Sequence, residues 1–156
     1  AVPVLITTMK GDQGDTGPSV SAITALGLIG PAAKEAVPAL IAEIAQLKGP
    51  GGGFGGKGGG GFGGNRLPSI DHRYSVVIVT LGQIGPAAKA AVPELIPYLN
   101  TSARLETAVA LGNIGPDAKE AVAPLTALLE SIPEEAPPDL TELRAAVKGA
   151  LKKIGK

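Results

Sequence analysis

Residues 81–99 read LGQIGPAAKAAVPELIPYL, and closely similar text stands at residues 26–44, LGLIGPAAKEAVPALIAEI, and at residues 111–129, LGNIGPDAKEAVAPLTALL. The stretch is one unit of a repeat, with apolar residues at helical spacing on both sides of a Gly-Pro corner. Self-similarity at about 30 residues marks a solenoid, in which each unit buries its apolar face only against its neighbours. Leu81 and Leu111 are 30 residues apart but Leu26 and Leu81 are 55 apart, so 25 residues are inserted between the first two copies.

Outward from the corner of the first copy, Val20, Ile23, Leu26 and Ile29 make one helical stripe, and Ala33, Val37, Leu40, Ile41 and Ile44 make the facing one. Gly30 supplies the stop of the first helix, and Pro31 suits the first position of the second, where a missing N–H is no loss. Pro38 then lies inside the second helix, which predicts a kink or short break at Val37. Tyr74, Val77, Ile78 and Leu81 resume the first stripe. Leu40, Leu95 and Leu125 are equivalent positions expected in the shared core. The predicted class is all-α: an α-solenoid of helix pairs, antiparallel about Gly30-Pro31, Gly85-Pro86 and Gly115-Pro116, with a Gly-rich loop insertion.

The chain divides into a half repeat at 1–10, a repeat at 18–47, a Gly-rich insertion at 49–66, repeats at 67–99 and 103–130, an acidic Pro-rich loop at 131–141 and a half repeat at 142–156, all one domain. Residues 1–9, AVPVLITTM, align with AVPALIAEI at 36–44, so the first half repeat is a second helix without its first. The last half repeat is a first helix without its second. Solenoids ordinarily carry polar terminal caps, and the reading here is that neither end has one. The two halves are complementary: Val2, Val4, Leu5 and Ile6 of one copy are expected to dock on Val147, Leu151 and Ile154 of another. The insertion holds 12 of the 23 glycines between residues 49 and 64, and also the chain's two phenylalanines, Phe54 and Phe62. Glycine alone predicts a tether, but two phenylalanines in glycine suit an added contact at the same interface.

Composition excludes several classes. The 14 basic and 14 acidic residues balance, so no field gathers nucleic acid or an anionic membrane. Cysteine is absent, which removes disulfides, thiol catalysis and Cys-ligated metals. Aromatic residues make up 3% of the chain, so aliphatic side chains and alanine must build the core, which suits close-packed helices better than a cofactor pocket. No run of apolar residues is expected to reach the length of about 20 that spans a bilayer, and the residues given do not read as a signal peptide. If Ala1 is a processed N-terminus, an extracellular location is favoured.

The candidate chemistry is thin. His72, the single histidine, has no second histidine or cysteine with which to ligate a metal, and reads as a solvated turn between Asp71 and Arg73. Gly11, Gly14 and Gly17 stand at every third place, too few triplets for a collagen helix. Asp12 and Asp15 lack the acidic loop of a calcium site. The glycines follow no phosphate-binding pattern. Lys57 and Arg66 are too sparse for an RNA-binding tail. Asn100-Thr101-Ser102 spells a glycosylation sequon and reads as a helix-capping turn. Lys34, Lys89 and Lys119 recur at one repeat position beside Glu35 and Glu120, a charged ridge whose field largely cancels. No catalytic, cofactor or metal residues are expected, and the chain is expected not to be an enzyme.

The pattern LGxIGPxAKxAVPxL resembles the HEAT-like repeats, in particular the short bacterial kind first noted in phycobilin lyases. The resemblance covers nearly the whole chain outside the Gly-rich and acidic loops. That family commonly has an arginine early in the first helix; Arg104 and Arg144 match it, while Ser19 and Tyr74 depart from it. The resemblance implies an α-solenoid used for protein contacts and carries no lyase activity to a chain without cysteine. The leading expectation is a structural protein that associates with itself head to tail, each copy completing its neighbour's half repeat, into a filament or a ring. The alternative is a monomeric adaptor that binds another protein, the chain being part of a longer one.

Overall fold

The computed structural model describes residues 1–11, 16–47, 70–135 and 137–155, and among them there is no strand. The fold is all-α. In chain order the α-helices are α1 (Val2–Gly11), α2 (Thr16–Ile29), α3 (Val37–Leu47), α4 (Ile70–Ile84), α5 (Val92–Leu95), α6 (Arg104–Ile114), α7 (Val122–Ser131) and α8 (Pro138–Ile154). Helices α2, α4, α6 and α8 stack in one row, each packed on the next, and α1, α3, α5 and α7 cover the other side. The core runs unbroken between the two rows, from Met9 and Ile23 through Ile78, Leu81 and Leu95 to Leu111, Leu125 and Val147.

The corners form as the Gly-Pro pairs dictate. Gly30, Gly85 and Gly115 have φ of 65°, 69° and 74°, a left-handed conformation that side-chain-bearing residues resist. The chain then passes through seven residues of 3₁₀ helix in each unit, Gly30–Ala36, Gly85–Ala91 and Gly115–Ala121, bent at Ala33, Ala88 and Ala118. These corner segments pack on one another from unit to unit. One expectation is corrected here: Pro38 is not interior to the second helix. The α-helix proper begins at Val37, so Pro38 and its counterpart Pro93 stand in the first turn, where no backbone bond is lost. Pro97 has the interrupting effect instead, ending α5 after four residues and turning Ile96–Asn100 into 3₁₀ helix. The last helix starts at Pro138, ahead of the expected residue 142. Its Arg144 donates to the Ile132 carbonyl at 3.3 Å and to Glu134 at 3.2 Å, which ties the preceding loop to α8.

Counted through the corner, Ser19–Ala45 and Tyr74–Asn100 are each 27 residues long and apolar enough by composition to cross a membrane. The sequence reading expected no run of that length; by length and composition there are two, each made of two helical segments joined at a glycine of positive φ. Of the 18-residue apolar window within each stretch, 44% and 56% is buried inside the fold.

Two small-residue contacts set the spacing of the first row. A Cβ on Gly82 would lie 2.7 Å from Ala110 Cα, and one on Gly112 would lie 2.8 Å from Ala150 Cα. Gly149 is the opposite case, since a Cβ there meets nothing within 4 Å. It sits exposed in the interior of α8, where glycine lowers stability through its backbone freedom. Gly149→Ala is expected to stabilise the chain by roughly 0.5–1 kcal/mol, read as a higher midpoint in thermal or urea unfolding.

A candidate interaction surface

The residues expected at a head-to-tail junction fall into two groups. At the N-terminal end Val2, Leu5 and Ile6 are partly buried and pack against the chain's own core, whereas Val4 is 69% exposed. Leu28, on α2, which packs on α1, is 80% exposed. At the C-terminal end Val147 and Ile154 are buried against the chain's own helices and Leu151 is half-buried. Phe54 and Phe62 lie outside the described residues, as do Lys57, Arg66, Asp12 and Asp15. His72, read from the sequence as a turn, is in the first turn of α4. Lys34, Lys89, Lys119, Glu35 and Glu120 are all exposed on the stacked corner segments.

The forward face of α8 departs from the sequence reading. Aligning Ile84, Ile114 and Ile154 puts Ile78 and Gly82 of α4, and Ala108 and Gly112 of α6, at the positions that receive the following helix; all four are buried. The same positions of α8 are Lys148 and Lys152, both exposed, with Thr141 and Ala145 exposed beside them. An ammonium group at the place of Gly112 would be buried without a partner by any helix stacked in register, at a cost of several kcal/mol. The face has the polar character of a solenoid cap, so the expectation that no cap is present is not met on this side.

A groove opens on the outward side of the first row, with a volume of about 560 Å3. Val79 and Gln83 of α4 form one wall, and Leu105, Val109 and Asn113 of α6 the floor. Glu142, Ala145 and Ala146 of α8 form the other wall, and Glu106 reaches in from the first turn of α6. Val79 and Val109 are 40% and 46% exposed, two of the few large apolar side chains so open to water among the described residues. The Oε2 atom of Glu106 is buried and has no hydrogen-bond partner among the described residues. At the far end of the groove Lys153 donates to Asn113 Oδ1 at 3.0 Å, so that cation is already engaged. Arg144 is held by Glu134 and the Ile132 carbonyl. Among the described residues no lysine or arginine lines the groove.

Sequence reasoning did not find this groove, because its parts lie in three units and none is a motif. The signal available was the valine at 79 and at 109 on the side of the helix away from Leu81 and Leu111. The pairing of the chain's two tyrosines was also missed: Tyr74 and Tyr98 are buried with ring centroids 5.4 Å apart and planes at 50°, a tilted contact favourable to aromatic quadrupoles. Burial, with Tyr74 and Glu94 adding to it, holds the Tyr98 phenol protonated far above its usual range. Among the described residues no group of three or more His, Cys, Asp or Glu is placed to hold a metal ion.

Residues 103–131, comprising α6, its corner and α7, match the family model described as PBS lyase HEAT-like repeat. This is the repeat type that the sequence resembles, matched over one unit. No curated protein and no solved structure matches the chain.

Proposed function

We propose that the chain is a non-enzymatic protein-interaction module, and that its partner is a protein other than a second copy of itself. A HEAT-like repeat suggests a protein-interaction or scaffold role, and the observation that supports an interaction surface here is the apolar groove across α4, α6 and α8. A zero net charge gives nucleic acid or an anionic membrane no claim on it.

Head-to-tail self-association is the second reading, favoured by the exposure of Val4 and Leu28 at one end. Against it stand Lys148 and Lys152 at the other end, and the burial of Val147 and Ile154 within the chain itself. Analytical ultracentrifugation over a wide concentration range separates the two. The parent is expected to sediment as a monomer, while a Lys148→Ala, Lys152→Gly double variant, which restores the forward face of α6, is expected to self-associate. A parent that forms large assemblies, dispersed by Leu5→Asp, would establish the head-to-tail reading instead. In that event replacing Phe54 and Phe62 by alanine asks whether the insertion adds to the junction.

A further inference from the structure

We infer that the groove between α4, α6 and α8 takes a peptide segment of a partner that presents an aliphatic or aromatic side chain together with a lysine or arginine, the apolar group lying on Val79 and Val109 and the cation meeting Glu106. The inference rests on the interaction-module reading and goes on to name the chemistry of the partner. A carboxylate oxygen withdrawn from water without a hydrogen bond is costly, and such groups are ordinarily satisfied in the functional state. Here Glu106 Oε2 is in that condition. The positions equivalent to Glu106 on the flanking helices are Val76 and Ala146, and neither of these two side chains can offer it a charge or a donor. Two cations of α8, Lys153 and Arg144, have partners elsewhere.

The surroundings decide what kind of cation enters. Glu142 adds a second carboxylate to the same groove and, among the described residues, no basic side chain lines it, so the site is complementary to positive charge. Its floor is Leu105 and Val109, which a bare metal ion or ammonium ion would leave in water. A segment with an apolar anchor and a basic residue one turn away satisfies both parts. Glu106 and Asn113 are seven positions apart on α6, about 10 Å along the axis, enough for side chains on successive turns of a peptide helix.

The test uses the full chain and a phage-displayed library of random 12-residue peptides. Panning on the parent and counter-panning on Glu106→Gln is expected to leave a pool in which lysine or arginine stands within four residues of leucine, isoleucine, valine or phenylalanine. Synthetic peptides from that pool are expected to bind Glu106→Gln on the order of tenfold more weakly than the parent, the loss of one charge-assisted hydrogen bond, and to lose affinity on Val109→Ser. Thermal unfolding of Glu106→Gln is expected to be no easier than that of the parent, which separates a lost contact from a lost fold. Peptides without basic enrichment, or binding unmoved by both substitutions, overturn the inference. If affinity falls with Val109→Ser but not with Glu106→Gln, the cation is overturned while the interaction-module reading stands. If the parent dimerises and Glu106→Gln returns it to monomer, the occupant is a second copy, and both readings fall.

Discussion

Leu125→Ala is expected to destabilise the chain by about 2–5 kcal/mol, the cost of removing a buried leucine and leaving a cavity that the surroundings only partly fill. Leu125 is fully buried, as are its counterparts Leu40 and Leu95 in the other two units. At about 2–4 °C per kcal/mol for a chain of this size, the midpoint should fall by roughly 4–20 °C. Lys119→Ala, six residues away on the exposed corner, should leave it within the scatter of ordinary surface changes, about 0.5 kcal/mol. Circular-dichroism melting of the two variants checks the register of the repeat, because equal sensitivity at Leu125 and Lys119 would mean that the assigned register is wrong.

Gly112→Ala is expected to cost about 1–3 kcal/mol although it adds a single methyl group, since overpacking is resisted where backbone is the obstacle. The new Cβ would lie 2.8 Å from Ala150 Cα and 3.0 Å from its Cβ. Ala150→Gly in the same chain removes the second contact and leaves the first, so the double variant should recover only part of the loss. Full recovery in urea unfolding would mean that the helices are free to separate and that the close approach of α6 and α8 is not what limits this position. The same argument applies at Gly82, against Ala110.

These two expectations draw on features of different legibility. The buried leucines were readable, because their spacing from each Gly-Pro corner repeats unchanged and burial follows from helical periodicity. The corner glycines were readable for the same reason. Gly82 and Gly112 were visible only as letters of a motif; that they are places where helix backbones nearly touch depends on the neighbouring unit. Pro38 was misread because a proline in the first turn and one in the interior look alike until the helix start is known, and the 3₁₀ segment moved that start to Val37. Lys148 and Lys152 were in plain sight in LKKIGK. Their meaning appeared once Ile154 was aligned on Ile84 and Ile114 and the lysines fell on the stacking face. The groove was the least legible feature. Exposed valines at 79 and 109 carry the same letters as core residues, and only the observed burial tells them apart.

The corner segments have a consequence for how such a chain can change in length. All three are seven residues long and lean on one another, so a residue gained or lost in one would throw its unit out of step with both neighbours. The links at the opposite ends of the helices differ freely: four residues lie between α1 and α2, 22 between α3 and α4, three between Asn100 and Arg104, and six between α7 and α8. One rim of the solenoid is a fixed ruler and the other is open to insertion. A tag, a fluorophore-bearing loop or a second binding segment grafted between Asn100 and Arg104 would leave the spacing of the units as it is, and the chain's own Gly-rich stretch stands at just such a place.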